Sequence, residues 1–537
     1  MSIFPQLLLP VHDELAVDLF AGGGGASTGI EAAIGRQVDI AINHDADAVA
    51  MHAMNHPQTN HFRTDVFDVD PVEATSGRPV GLLWASPDCT YYSKARGGKP
   101  IRAKNKRRRS LAWVVTRWAG TVRPRVIILE NVEEFREGGP LIARRDPSTG
   151  RVLKQDGDIA EPGEVVPLDE QQLVPDPERA GEQFAAWKRS LEDHGYRVEW
   201  REMTASDYGA PTSRTRLFII ARCDDQPIIW PAKTHGPGRR QAYKTVADCI
   251  DWTYPSASIF FNKEESKAWA RDQREQGYNI GTPRRPLADN TLRRIARGVV
   301  EYVLQDGDPF VVPVQNGSNR AVHQSTEPLR TVTAKPVGGG FALCAPTLVQ
   351  TGYGERPGQK PRSLNLHEPV GTLVGGGQKH ALISAFCERY VGPLLDDASN
   401  RGIDSHLESL LVDSNAHRVY GFIQSYYGEG IGQEVGRPIR TITTKDRMSL
   451  VTITVERTEY VISDIALRML QPHELYRAQG FPIDYVIDRG VDGRRLTKGA
   501  QVRMCGNSVC PPLAASLVRT NCPDMIVRDE AIGRQIA

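Results

Sequence analysis

The residues of this chain that could do chemistry gather at the ends of apolar runs. Asp18 lies in "LAVDLFAGGGG", Asp45 follows "VDIAIN" within "HDADA", Cys89 ends "PVGLLWASPDC", and Glu130 closes the run in "RPRVIILENVEEF". A cysteine becomes a covalent nucleophile as its thiolate, which requires a lowered pKa. Asp88, directly before Cys89, would by itself raise that pKa. Adjacent side chains on an extended segment point to opposite faces, so Asp88 can face away from the thiol. Arg214 and Arg216, in "YGAPTSRTRLFIIA", alternate along a strand and face one side. An exposed edge strand laced with salt bridges would carry the same Arg-x-Arg spacing.

These residues need elements to position them. Leu15 to Phe20 read as a buried strand, Gly22 to Gly25 as a turn, and Ala26 to Ile34 as a helix with apolar residues at helical spacing. Such a turn lets a ligand approach the backbone and points the first helical N–H groups at it. Tight strand–helix packing without a ligand would use the same glycines. Asp18 sits inside the strand, ahead of the glycines, which departs from the dinucleotide fingerprint and favours a cofactor with an amino-acid end over a pyrophosphate. Asp45 stands where an acidic residue grips a ribose in nucleotide-binding α/β folds. In an open parallel sheet, ligands bind outside the carboxyl ends of the strands. Asp18, Asp45, Cys89 and Glu130 all fall at such ends.

The 537 residues suffice for roughly two to four domains with a real core. A net charge of +1 means that a nucleic-acid partner must be met by local basic patches. One such patch, "SKARGGKPIRAKNKRRR", carries nine Lys/Arg and no acid from Lys94 to Arg109. Its place just after Cys89 favours phosphate binding over a merely solvated face, and its field favours the thiolate. No apolar run approaches the ~20 residues that span a bilayer, so no membrane partner is expected. The N-terminal stretch, without a basic leader or small-residue cleavage site, reads as a lead-in to the first strand. The eight cysteines form no C-x-x-C pair and no histidine cluster has zinc-ligand spacing, so no metal is expected. Sparse, scattered cysteines fit a reducing cytoplasm.

Six segments in order resemble the DNA (cytosine-5) methyltransferase family, which uses S-adenosyl-L-methionine. "DLFAGGGG" resembles the family's D-L-F-A-G-x-G-G, "SPDCTYYS" its P-P-C-x-x-F-S, and "ENV" its third block. "YGAPTSRTRLFIIA" (208–221) resembles the fourth, and "LRMLQPHELYRAQGFP" (467–482) and "GNSV" (506–509) the last two. The resemblance implies an α/β fold, a Rossmann-like class I methyltransferase with a mostly parallel sheet, plus a β-rich target-recognition domain. It implies that the Cys89 thiolate adds to carbon 6 of cytosine, after which carbon 5 takes the methyl group. Glu130 would hold the N3 and exocyclic amine edge and offset the charge that develops. Arg216 would take the cytosine O2, and Arg214 a supporting contact near the nucleophile loop. Cofactor contacts are implied for Asp18, Phe20 (against the adenine face), Gly22, Gly24, Asp65 (on the adenine amine), Pro87, Asn507 and Ser508. Asn43 stands where the family often has an acid, leaving Asp45 as the ribose ligand. Two other departures are Asp88 for proline and Thr212 for glutamine.

The expected organisation is a catalytic domain in two pieces, 1–222 and 467–537, with an insertion at about 136–183 and a recognition region at 223–466. Within the insertion "LIARRDPSTGRVLKQ" reads as a hairpin, followed by the helix "FAAWKRSLEDHGY". A helix is expected over 287–305. Three near-repeats, 314–343, 349–382 and 423–451, each carry Pro-x-x-Thr after a Val/Ile-Gln start and read as β-hairpin units beside a DNA groove. Pro472 opens a short helix, and Pro511 and Pro512 the last one.

The expected activity is methylation of carbon 5 of cytosine at a specific sequence of double-stranded DNA, on a base everted from the duplex. A monomer is expected, in a bacterial cell or a virus-infected bacterial host, with a separate restriction endonuclease as its partner. An RNA cytosine-5 methyltransferase with the same core would usually carry a smaller recognition region. A catalytically silent DNA-binding protein of this fold would fit Asp88 and Thr212. A nicotinamide oxidoreductase would leave Cys89, Glu130 and the arginine pair unexplained.

Overall fold

The structure, a computed structural model, describes residues 14–88, 92, 110–245, 247–251, 253–287, 310–314, 323–324, 340–350, 363–364, 369, 380–389, 452–455, 458–469 and 471–527. The chain forms two compact units. One comprises Met1–Cys249, Pro369–Gly377 and Pro472–Ala537; the other comprises Ile250–Glu368 and Gln378–Gln471. Both divisions fall later in the chain than the expected boundaries, at 249/250 against 222/223 and at 471/472 against 466/467.

The first unit is built on a seven-stranded sheet. Its strands are β1 (Leu15–Leu19), β2 (Ile40–Ile42), β3 (Asn60–Phe62), β4 (Val80–Ala85), β5 (Val126–Asn131), β6 (Arg197–Thr204) and β7 (Thr215–Arg222), in the spatial order β3-β2-β1-β4-β5-β7-β6. Pairing is parallel from β3 to β5, while β7 runs antiparallel to both β5 and β6. The order reverses between β1 and β4, the switch point at which α/β sheets bind ligands. This is the α/β, mostly parallel, Rossmann-like architecture expected of the chain.

Both faces of the sheet are covered, and the strands show it. Every residue of β1, β4 and β5 is buried, as continuous apolar runs in a parallel sheet require. Alternate residues enter two separate cores: Ala16, Leu82, Trp84 and Ile128 face one side, and Val17, Leu83, Ala85 and Leu129 the other. Each such Val, Leu or Ile side chain stabilises the fold by about 1.5–3 kcal/mol relative to exposure.

The first core is closed by α1 (Gly25–Ile34) and the returning helix Pro511–Asn521, which pack closely. They meet at Gly29, where a Cβ would lie 2.6 Å from both the Pro511 carbonyl and the Ala514 side chain. The second core is closed by helices Trp113–Thr121 and Glu182–Asp193. Trp187 bridges them by donating to the Ala112 carbonyl at 2.9 Å. The helix "FAAWKRSLEDHGY" and both proline-led helices at 472–479 and 511–521 thus form where the sequence places them.

In the insertion, Arg145 bridges Val152 in antiparallel fashion around a turn tied by Asp146, whose Oδ1 accepts from the Ser148 and Thr149 N–H groups. A longer pairing, Leu141–Ala143 with Leu173–Pro175, frames this hairpin; its partners are too far apart in sequence to be read as a turn.

In the second unit, strands Phe310–Val314, Gly340–Gln350, His380–Arg389 and Thr458–Met469 form antiparallel neighbours in one sheet. Strand 340–350 joins the end of the first near-repeat to the start of the second, so strands bridge the copies. The helix expected at 287–305 and the third copy at 423–451 lie outside the described residues, as does Cys89 with the basic loop after it. Among the described residues no helix is long and apolar enough to cross a membrane.

Candidate active site

The parallel register aligns the strand ends. Leu19 pairs with Ile42 and Ala85, and Ala85 pairs with Leu129, so one level runs across β2, β1, β4 and β5. Glu130, Phe20 and Ser86 each stand one residue beyond it. Pro87 and Asp88 follow, and Cys89 comes next in the chain. The Asn131 side chain reaches back to the Pro87 carbonyl at 3.4 Å, tying the segment that leads to Cys89 against β5.

Glu130 is only 6% exposed. Its Oε1 lies 3.3 Å from Arg216 Nε and 3.8 Å from Arg214 Nη2. The antiparallel β5–β7 pairing places both arginines on the Glu130 side, as their alternation predicts. Arg214, just before β7, is buried and donates from Nη1 to the Gly506 carbonyl at 3.0 Å. Its backbone N–H donates to Thr212 Oγ1 at 3.3 Å, so the residue that replaces glutamine here serves the loop. Two guanidinium groups thus approach one largely desolvated carboxylate. Such a group holds together only with its partners in place, since a lone buried charge is costly.

Cys510 was not singled out in the sequence. It is buried, donates its thiol to Gln479 Oε1 at 2.7 Å, and feels Arg214, Arg216 and Glu130. Burial pushes its pKa up to about 12, against the pull of the arginines. A neutral buried thiol of this kind is inert.

The glycine turn lies at the end of β1. Gly22 has φ +53° and meets only the Phe20 carbonyl oxygen, 3.8 Å from where a Cβ would be. Its neighbours are crowded by the protein itself. A Cβ on Gly24 would lie 2.1 Å from the Tyr485 hydroxyl, and one on Gly25 1.9 Å from Ser508 Oγ and 2.3 Å from the Val509 carbonyl. Tyr485 donates to the Gly23 carbonyl at 2.6 Å. Asn55 fixes the next residue, Val486, through two 2.8 Å hydrogen bonds. Gly24 is therefore explained by packing, while Gly22 faces open space among the described residues.

Asp18 is fully buried beneath this turn. Its Oδ2 accepts from Ser27 Oγ at 2.7 Å, and its Oδ1 has no hydrogen-bond partner among the described residues. Burial raises its pKa to about 7, against the lowering effect of Ser27.

The other cofactor candidates are differently placed. Asp45 caps the helix Ala46–Asn55 (α2), its Oδ1 accepting from the Asp47 and Ala48 N–H groups. Its Oδ2 accepts from Arg503 at 2.5 Å. Burial alone would raise its pKa, but Arg503 and the helix N–H groups bring it below the usual value. Asp65 Oδ1 accepts from the Phe67 N–H at 3.1 Å. Phe20 is half-buried at φ +64°. Asn507, exposed, ends the helix Lys498–Asn507, and Ser508 is its buried C-cap.

Asp18, Gly22, Gly24 and Ser508 thus meet around one turn, and Glu130, Arg214 and Arg216 around one carboxylate. Sequence reading missed Tyr485, Arg503 and Cys510. Only "GFP", just upstream of Tyr485, hinted at that region's importance.

Comparison with known proteins identifies the family. The family model of the C-5 cytosine-specific DNA methylases matches residues 16–138, 175–319 and 399–521. Type II methyltransferase M.AquIA of Picosynechococcus sp. is 24% identical over 45% of this chain and 89% of its own length. Type II methyltransferase M.Sau3AI of Staphylococcus aureus is 26% identical over 39% of this chain and 43% of its own length. Type II methyltransferase M.NaeI of Lentzea aerocolonigenes is 26% identical over 55% of this chain and 62% of its own length. The match therefore spans less than two thirds of these last two relatives. Sheet order, strand-end residues and a family match across most of the sequence converge: the chain belongs to the C-5 cytosine-specific DNA methylases and is a DNA (cytosine-5-)-methyltransferase.

Proposed function

We propose that the methyl donor is S-adenosyl-L-methionine and that transfer proceeds through a covalent adduct between Cys89 and a cytosine turned out of the duplex. The observation that carries this reading is the Glu130–Arg214–Arg216 cluster on the rim of β5, one strand away from the segment that leads to Cys89. The residues present fit the donor. Gly22 leaves open backbone at the turn, and the buried Asp18 carboxyl lies beneath it, where its charge would bear on a cationic ligand without touching it.

When bound, the donor supplies an electrophilic sulfonium methyl. The Cys89 thiolate adds to carbon 6 of the ring, and the displaced π electrons make carbon 5 nucleophilic. Glu130 holds the N3 and amine edge, and Arg216, with Arg214 in support, faces O2 where negative charge gathers. After carbon 5 gains the methyl group it loses its proton, and the thiolate leaves, restoring the aromatic ring. Asp45, Asp65, Phe20, Pro87, Asn507 and Ser508 complete the cofactor pocket. The nine basic residues of 94–109 bind DNA phosphates. The recognition region at 223–466, most of which falls in the second unit, reads the major groove, where all base pairs differ.

The Type II relatives support a role beside a separate restriction endonuclease, for a monomer in the cytoplasm of a bacterium or its infected host. DNA carrying 5-fluorocytosine, which cannot lose a carbon-5 proton, should form a denaturation-resistant adduct mapping to Cys89 by peptide mass spectrometry. Absence of any adduct, with DNA and RNA substrates alike, would overturn the reading.

A further inference from the structure

Asp18 has no access to water, yet a chain of hydrogen bonds leads from it to the edge of the sheet. Ser27 Oγ, 2.7 Å from Asp18 Oδ2, also lies 2.9 Å from His52 Nε2. His52 Nδ1 in turn lies 2.8 Å from His61 Nε2. His52 is 1% exposed, whereas His61, on β3, is half-buried. The two rings bond to each other directly, and among the described residues no group of side chains is arranged to hold an ion.

We infer that Ser27 and His52 are positioning residues that act through Asp18, carrying a proton between His61 and the carboxyl beneath the glycine turn. With Asp18 ionised, every donor points toward it: His61 Nε2–H to His52 Nδ1, His52 Nε2–H to Ser27 Oγ, and Ser27 O–H to Asp18 Oδ2. A protonated His61 can then discharge inward. His61 gives up its Nε2 proton to His52 Nδ1, His52 passes its Nε2 proton to Ser27, and Ser27 passes its hydroxyl proton to Asp18. Three N–H or O–H bonds break and three form, leaving neutral His61 and neutral Asp18. The reverse sequence releases the proton.

The surroundings suit this exchange. Burial, with His56 and His61 nearby, pushes the His52 pKa well down, so it conducts as a neutral ring. Burial also lowers His61. The other titratable groups facing the chain are His56, whose Nδ1 is 3.0 Å from Glu31 Oε2, and Tyr485, whose hydroxyl is 3.4 Å from His56 Nε2. Burial makes the ionised carboxyl costly and raises the Asp18 pKa to about 7, against the lowering effect of Ser27. Asp18 joins β1 to α1 across Gly22–Gly25, so its charge bears on the turn that we propose receives the cationic donor.

This inference rests on that proposal, and its test separates the two. The affinity of the protein for S-adenosyl-L-methionine would be measured by calorimetry from pH 5.5 to 8.5. Wild type should tighten by about three- to tenfold as pH rises through about 7, the Asp18→Asn variant by less than about twofold. Ser27→Ala and His52→Gln should move the inflection by about half a unit or more; His61→Gln, at the half-buried end, should shift it in the same experiment. An unchanged inflection in Asp18→Asn, or in all three relay variants, would overturn the relay. If wild type does not bind the donor at any pH, the functional proposal fails. The relay would then be judged by histidine-ring NMR titration of the ligand-free protein, in which Ser27→Ala must shift His52 and His61 for the inference to stand.

Discussion

Arg216 Nε stands 3.3 Å from Glu130 Oε1, inside a site where the carboxylate is only 6% exposed. Neither charge is comfortable alone, so each residue's substitution disturbs the other. Glu130→Gln and Arg216→Ala should each lower methyl transfer to DNA by about a hundredfold or more. Arg216→Lys should not restore the rate, because a point charge cannot reproduce the planar guanidinium. Tritiated methyl incorporation into DNA measures both.

The glycine turn separates folding from binding. Gly25→Ala forces a Cβ into Ser508 and Val509 and should cost about 1–3 kcal/mol in urea unfolding. Gly22→Ala meets open space and carries only the penalty of positive φ, about 1–2 kcal/mol at most. It should nonetheless lose most donor affinity. Equal losses of affinity and stability in both variants would contradict this division.

Asp45 uses three of the roughly four acceptor positions of a carboxylate, two on helix N–H groups and one on Arg503. One remains for a ribose hydroxyl. Arg503→Ala should therefore raise KM for the donor several-fold with kcat little changed. Asp45→Ala should raise KM further and remove the α2 cap, costing about 1 kcal/mol of stability. Steady-state kinetics with urea melts would tell the two apart.

Asp18 gives stability a pH dependence of defined sign. Its folded pKa, about 7, lies above the unfolded value of 3.8. Its contribution is thus complete below the unfolded value and is lost as pH rises through about 7. Asp18→Asn should gain on wild type between pH 5 and pH 8, seen as a larger difference in urea midpoint at the higher pH. A constant difference would mean that Asp18 titrates normally.

Much of this was legible in the sequence because parallel strands write their function at their ends. Asp18, the glycines and Glu130 follow unbroken apolar runs, and the Arg214/Arg216 alternation needs only a strand to bring both to one side. What escaped depends on contacts between distant parts of the chain. Tyr485 touches Gly23, and Arg503 touches Asp45, across more than 450 residues that no local pattern spans. Asp45 reads as a ligand residue from its spacing, yet its nearest task is to start a helix, a use that Asp serves equally well. His52 and His61 carry no motif; only the fold brings them to Ser27.

The support of Gly23 and Gly25 by Tyr485, Ser508 and Val509 also has a consequence in time. A ribosome makes the turn early and its clamp hundreds of residues later, after the whole second unit has emerged. Until then the nascent protein holds the turn without the side chains that brace it, so the order of synthesis leaves this brace among the last contacts to form.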